Sequence, residues 1–161
     1  MAISKPFDAV LESGLIEIIG KDDAEVANGE YSKTADVALE AVNGHSGEIL
    51  SITLVSTMTG TGAIQVPACK LMFLDADPDT TSGDAALSAA ESKTIIGYVD
   101  IAAADWITDT NASVAHKAVS VPFHSITTMY AVLKSADAAA INSAEADDEI
   151  IEFNLWYRRD S

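Results

Sequence analysis

The chain of 161 residues carries 9 Lys and Arg against 25 Asp and Glu, a formal net charge of −16, and 48% of its residues are hydrophobic. This length and hydrophobic content fit one ordinary folded domain rather than a disordered chain. The charge argues against binding to nucleic acid or to an anionic membrane, because both require a basic protein surface. A single cysteine, Cys69, excludes an intrachain disulfide.

The N-terminal 30 residues are predicted to form an arm ahead of the folded domain. Residues 1–20 are rich in apolar side chains, and residues 21–30 are charged and loop-like. The arm lacks the basic start and unbroken apolar stretch of a signal peptide, so we expect synthesis in the cytoplasm. No run approaches the roughly 18–20 apolar residues of a membrane-spanning helix. Boundaries are predicted at 1–30 for the arm and 31–161 for a single β-sandwich domain.

Alternation of apolar and polar side chains predicts short β-strands along most of the chain. The clearest case is Ile151–Tyr157, where the odd-numbered residues are apolar. The strand over 119–123 contains Pro122, which cannot donate a ladder hydrogen bond, so we place it at a sheet edge or at a bulge. Further strands are predicted over 15–19 (the weakest), 37–42, 48–56, 69–74, 94–101 and 129–134.

The segments between these strands have the composition of turns and short helices. Asn43-Gly44 and Ser46-Gly47 predict a hairpin between strands 37–42 and 48–56. The acidic segment Asp75–Asp79, which contains a proline, predicts a loop. Alanine-rich stretches over 84–93 and 135–146 predict at most short helices. Many short strands without long helices indicate an all-β antiparallel sandwich, jelly-roll-like with about eight strands.

The acidic loop has part of a calcium-binding pattern. Asp75, Asp77 and Asp79 have the spacing that begins such a loop. Thr80 stands where the pattern requires Gly, and Ala86 stands where it requires Glu. We therefore interpret these carboxylates as a solvated loop.

The other reactive side chains do not form a recognisable catalytic or metal-binding motif. His116 and His124 would share a strand face but lie about 26 Å apart along it, too far to bind one metal ion. His45 falls in the predicted hairpin turn. Cys69 lies in an apolar run, where a buried and inert thiol is expected. We expect neither enzymatic activity nor a bound cofactor or metal.

Ten residues are predicted to contact a partner protein or another copy of the chain. The apolar residues of the arm have two open interpretations, an interface or the first strand of the sandwich. Arginine and tryptophan are common at interfaces. Arg158 and Arg159 could instead form a positively charged rim that keeps the sheet edge soluble. The predicted interface residues are Ile3, Phe7, Val10, Leu11, Leu15, Ile16, Ile18, Trp156, Arg158 and Arg159.

Four segments of the sequence carry a resemblance to a known family. They are Lys70–Pro78, Ile95–Ile101, Val121–Phe123 and Thr128–Leu133. Over residues 31–157 the chain resembles the head decoration, or capsid cement, proteins of tailed bacteriophages, whereas the first 30 residues have no counterpart. The resemblance implies a jelly roll on the virion exterior, made in the host cytoplasm. It also implies a homotrimer that binds the major capsid protein and contacts neither nucleic acid nor membrane.

Two alternatives belong to other functional classes. A carbohydrate-binding jelly-roll module for host adhesion would use Trp106, Trp156 and Tyr98 as an aromatic platform. A small β-sandwich enzyme of the cupin type would require clustered His and Glu ligands for a metal ion.

Overall fold

The computed structural model describes residues 10–37, 39, 45–59, 64–126, 128–141 and 149–160. Strands dominate these ranges, and none of their helices is long and apolar enough to cross a membrane. The strands are β1 (Leu11–Glu12), β2 (Ile16–Ile19), β3 (Ala35–Val37), β4 (His45–Met58), β5 (Cys69–Leu74), β6 (Ile95–Ile101), β7 (Trp106–Thr108), β8 (Ser113–Ile126), β9 (Met129–Ser135) and β10 (Glu149–Arg159). One α-helical turn, α1 (Ala89–Ser92), precedes β6, and a 3-10 turn (Ala103–Asp105) precedes β7.

The strands form two antiparallel sheets. In the six-stranded sheet, β1 and β2 both pair with β10, followed by β4, β8 and β7. The four-stranded sheet has the order β3-β9-β5-β6. Successive pairs are β2 with β10, β3 with β9, β4 with β8 and β5 with β6, so the chain resembles one long hairpin rolled into a sandwich. This topology confirms the predicted jelly roll.

The core lies between the inner faces of the two sheets. Phe73 of β5 and Phe153 of β10 meet edge to face, with ring centroids 6.5 Å apart. The odd-numbered residues of Ile151–Tyr157 are fully buried, as their alternation predicts. At one side of the sandwich the sheets approach so closely that a Cβ on Gly97 would lie 2.5 Å from Cγ1 of Val121.

Residues 11–19 correct the prediction of a separate arm. They form β1 and β2, which pair with β10, and Ile18 and Ile19 are fully buried in the core. Leu11 and Ile16 also pack against it. Four apolar side chains of this stretch therefore complete the chain's own sandwich, as the alternative interpretation held, whereas Leu15 remains exposed. Ile3 and Phe7 lie outside the described residues.

The predicted hairpin at Ser46-Gly47 is wrong. Both residues, together with the backbone of His45, belong to β4. Moreover, β3 and β4 lie in different sheets, whereas hairpin partners must pair directly. Gly47 serves close packing instead of a turn, because a Cβ there would collide with the backbone carbonyl oxygen of Arg158 and lie 2.6 Å from Cζ of Phe123. Asn43-Gly44 and residues 40–42 of strand candidate 37–42 fall outside the described residues.

Most other predicted elements are confirmed. Strands 69–74, 94–101 and 129–134 match β5, β6 and β9, and Asp75–Asp79 is irregular. The turn α1 lies in the first alanine-rich stretch and begins with a reciprocal capping pair, Ser88 and Glu91. In the second alanine-rich stretch, residues 136–141 are not helical, and residues 142–146 are outside the described ranges.

Pro122 lies where the sequence placed it, in a strand with one open side. Within the described ranges, β7 pairs with residues 113–115 of β8, and no strand pairs with that side of β8 beyond them. Between Ala118 and Val121 the register with β4 shifts, so that β8 contains an extra residue there. Both predicted features, the edge and the bulge, occur around this proline.

Two serines attach neighbouring loops to the sheets by the same pair of hydrogen bonds. The Ser32 backbone N–H donates to the carbonyl of Leu133 (2.8 Å), and the Leu133 N–H donates to Oγ of Ser32 (2.9 Å). Ser13 makes the equivalent pair with Leu155, at 2.9 Å for both bonds. In each case the hydroxyl takes the place of a backbone carbonyl, which satisfies a strand amide without a neighbouring strand residue.

Candidate contact face

The described residues do not bring together the groups of a metal site. No group of three or more His, Cys, Asp or Glu side chains in these ranges is arranged to hold a metal ion. Asp75, Asp77 and Asp79 are exposed, and Asp77 Oδ1 accepts the backbone N–H of Asp79 at 2.7 Å. The loop is closed by its own hydrogen bonding, as a solvated acidic turn would be. His116 and His124 are both exposed on β8.

Cys69 is a core residue rather than a nucleophile. Its side chain is buried at the start of β5. Burial first, and then the nearby carboxylates of Asp137 and Asp100, raise the pKa of the thiol to about 12. Because the thiolate is the reactive form, this environment suppresses its chemistry.

The outer face of the four-stranded sheet is covered by the chain itself. A second apolar cluster forms there, and segment 75–94 supplies one of its members, Leu87. Its buried members are Tyr31, Met72, Leu74 and Val132, with Leu87, Ile95 and Tyr130 packed against them. The backbone of Tyr31 fixes this segment, donating to Asp84 (2.8 Å) and accepting from Gly83 (2.9 Å). This side of the sandwich therefore buries an apolar cluster of its own, and Tyr98 remains 54% exposed there.

The outer face of the six-stranded sheet, called the outer face below, is different. Among the described residues no second apolar cluster forms over it. One row of directly opposed residues crosses it from β7 to β2: Ile107, Val114, Val55, Glu152 and Glu17. Ile107 is 79% exposed and Val114 is 38% exposed. The row thus begins as exposed apolar surface and ends in carboxylates.

Two parallel rows repeat this change from neutral to polar or acidic side chains. One contains His116, Thr53 and Asn154, and the other contains Ala118, Ser51, Trp156 and Glu12. Asn154 donates to Glu12 Oε1 at 2.5 Å, which links the two rows at their far end. We define the neutral half of the outer face as Val55, Ile107, Val114, His116, Thr53, Ala118 and Ser51. The acidic half is Glu12, Glu17 and Glu152.

Trp156 lies between the two halves, on the outer face as its break in the alternation predicted. It is half-buried, and its ring meets that of His116 edge to face, with centroids 6.0 Å apart. Thr53 Oγ1 lies 2.9 Å from Nδ1 of His116 and holds the imidazole from the other side. The three side chains form one contiguous patch on the pleated surface.

Arg158 is paired within the chain. Its Nη2 lies 2.9 Å from Oε2 of Glu48, and Ser120 Oγ donates to the other carboxylate oxygen at 2.5 Å. The Ser120 hydrogen bond, followed by Arg158, holds the pKa of Glu48 below its ordinary value. Arg159 is half-buried and also makes contacts of its own. Arg158, Glu48 and Ser120 therefore form a network along one border of the outer face.

The other predicted interface residues separate into accessible and inaccessible groups. Val10 and Leu15 are 59% and 58% exposed and are available to a partner. Ile18 is fully buried, so its prediction as an interface residue is wrong. Ile107 and Val114 were not among the residues predicted from the sequence. Ile107 follows Trp106 and Val114 precedes Ala115, and both of these neighbours are buried. Because side chains alternate along a strand, Ile107 and Val114 point to the outside.

The three aromatic residues of the carbohydrate hypothesis do not form a platform. Trp106 is buried, and its Nε1 donates to the carbonyl of Pro67 at 3.0 Å. Tyr98 lies on the outer side of the other sheet, with Nζ of Lys70 4.1 Å from its ring centroid. Only Trp156 lies on the outer face of the six-stranded sheet. The prediction of an aromatic platform is therefore wrong.

Comparisons with known proteins give distant structural likenesses only. No protein-family model matches the chain, and no curated protein matches its sequence. It is similar to a chain in the full particle of Israeli acute paralysis virus heated to 63 degrees, with TM-score 0.34, 9% identity, and coverage of 96% of this chain and 72% of that one. It is also similar to a chain of the Kashmir bee virus native virion at acidic pH, with TM-score 0.33 and 10% identity. That alignment covers 96% of this chain and 72% of the viral chain.

A third similar structure is that of deformed wing virus carrying the GFP gene, with TM-score 0.32 and 10% identity. The alignment covers 100% of this chain and 46% of the viral chain, so this chain spans less than half of that protein. Likenesses this distant do not establish a function.

Proposed function

We propose that this protein is a structural component of a tailed-phage virion that binds the outside of the head. It would stabilise the shell by bridging neighbouring major capsid proteins. The observation that carries the proposal is the outer face, where Ile107 and Val114 are exposed in one row with Val55. The sequence resemblance to head decoration proteins supplies the identity of the partner.

The outer face is suited to adhesion rather than chemistry. Its four inter-strand spacings and about seven residues of β4 give a platform of about 20 by 25 Å, or ~500 Å². That is somewhat below one partner's share of a standard protein interface, ~800 Å², so adjoining loops must also contribute. Val10 and Leu15, beside β1 and β2, are exposed apolar residues that extend the surface.

Stabilisation of the shell follows from differential binding. A protein that binds the assembled shell more tightly than its free subunits shifts the assembly equilibrium toward the intact particle. The net charge of −16 keeps the protein off packaged DNA and makes decorated particles repel one another. A homotrimer at local three-fold positions is the arrangement that the resemblance implies, and it would place three copies of the outer face around one axis.

Sedimentation with heads tests the proposal. The purified chain is mixed with undecorated heads built from the major capsid protein of the same phage, and the pellet is analysed for stoichiometric binding. We expect saturable co-sedimentation, and decorated heads that withstand heat or chelation better than bare heads. Free capsid subunits serve as the control and should bind more weakly. A chain that stays in the supernatant at micromolar concentration would refute the proposed function.

A further inference from the structure

We infer that the outer face is the docking surface and that its partner carries an apolar patch flanked on one side by Lys or Arg side chains. The inference deepens the proposed function, since the head is taken as the source of this partner. It rests on the polarity of the face and on the distribution of its charges.

The direction of the polarity is the first step. In the row from Ile107 to Glu17, the exposed apolar side chains lie over β7 and β8, and the carboxylates lie over β10 and β2. Glu17 forms an ion pair with Lys33, with Oε1 2.7 Å from Nζ, whereas Glu152 has no ion pair among the described residues. A partner that covers the neutral half therefore meets negative potential along one defined side. Basic groups placed there gain both attraction and orientation.

A second copy of the chain is a poor occupant of this face. A two-fold contact would have to pair the same patch with itself. Overlap of the neutral halves would bring Glu152 and Glu17 of one copy toward the β7 side of the other, where Asp109 is exposed. Overlap of the acidic halves would oppose carboxylates directly. Like charges placed together cost several kcal/mol, so charge complementarity favours a basic partner over self-association.

The open edge of β8 is a poor alternative docking site. A free strand edge can accept an added strand from a partner. Here the stretch beyond Ala115 contains Pro122, which lacks an N–H, and an extra residue between Ala118 and Val121. Both features block continuous pairing and are the ordinary protection of an edge strand. The flat outer face, rather than this edge, is left for contact.

A binding experiment without heads tests the surface directly. The probe is a short synthetic peptide of alternating Leu and Lys, added to isotopically labelled full-length protein and followed by amide chemical shifts. We expect shifts concentrated in β4, β8 and β10, and little change in β5 and β6. Replacing Leu by Ser, or Lys by Glu, should weaken binding at least about tenfold. Shifts spread over the whole acidic surface, or equal binding of the three peptides, would overturn the inference.

Variants in the head assay separate this inference from the proposed function. Ile107→Asp on the neutral half and Glu152→Lys on the acidic half should each weaken head binding about tenfold or more. The matched controls on the other sheet are Tyr98→Asp and Asp36→Lys, both at exposed positions, and they should bind as wild type does. If wild type binds heads and all four variants bind equally, the docking surface is wrong. If wild type does not bind heads, the proposed function fails, and the peptide map alone decides the inference.

Discussion

Replacement of Ser32 by Ala removes a buried hydrogen bond that holds a loop to the four-stranded sheet. Ser32 is fully buried; its Oγ accepts the Leu133 N–H at 2.9 Å and donates to the carbonyl of Lys33 at 2.8 Å. The change to Ala leaves the Leu133 N–H buried without a partner. An orphaned buried donor costs about 1–3 kcal/mol, so we expect the free energy of unfolding to fall by ~2 kcal/mol. For a domain of this size that corresponds to a fall in Tm of about 4–8 °C.

Urea denaturation measures the loss, with the slope m expected to stay unchanged because the exposed surface is the same. Ser13→Ala is the graded comparison: Ser13 is only half-buried, water can reach the amide of Leu155, and we expect a loss of ~1 kcal/mol. Ser51→Ala is the matched control, since its half-buried hydroxyl makes no hydrogen bond within the described residues. It should change stability by less than ~0.5 kcal/mol.

Hydrogen exchange identifies the bond responsible. In Ser32→Ala the Leu133 amide should exchange faster than in wild type, while amides of β10 keep their protection. The reasoning is refuted if Ser32→Ala is as stable as Ser51→Ala and the Leu133 amide remains as protected as before.

Three further results are expected. Gly47→Ala should lower the free energy of unfolding by about 1–3 kcal/mol in a urea titration, because its new Cβ would collide with the backbone carbonyl oxygen of Arg158 and lie 2.6 Å from Cζ of Phe123. At pH 8 the thiolate fraction of folded Cys69, with its pKa near 12 against 9.0 for a free thiol, is about a thousandfold lower. A thiol reagent should therefore label it only after denaturant is added, and rapid labelling of the native protein would contradict its burial. Ser120→Ala should raise the pKa of Glu48, followed by NMR. The folded-state pKa is depressed, so the associated stability is present at neutral pH and is lost as pH falls through that value; an unchanged titration would disprove the role of Ser120.

The strands were predictable because side-chain alternation reports directly on burial. The odd residues of Ile151–Tyr157 lie in the core as their alternation predicts, whereas β5 was predicted from an apolar run and is buried on both faces. The short helix α1 was also predictable, because it lies in an alanine-rich stretch of high helical propensity. These features depend on neighbours within a few residues, which is the range over which sequence patterns act.

The failures concern contacts between distant segments. The apolar side chains of Ile16–Ile19 have the same pattern whether they cover the chain's own sheet or a neighbour's. Ser46-Gly47 has turn composition, but Gly47 is required by the close approach of Phe123 from β8. The neutral half of the outer face combines Val55, Ile107 and Val114, whose adjacency is fixed by strand register. No local pattern contains that register.

The rolled hairpin also sets the order in which this molecule can be made. Ile16 lies opposite Phe153, its partner across more than eight-tenths of the chain, and β10 separates β2 from β4. During translation the local hairpin of β5 and β6 can close early, while β2 and β4 wait with unpaired edges for the last strand to emerge. A chain truncated before β10 would therefore expose the unpaired edges of β2 and β4 and be prone to aggregation. We therefore expect folding in the cell to depend on chaperones, because β2 and β10 are far apart in sequence and must pair.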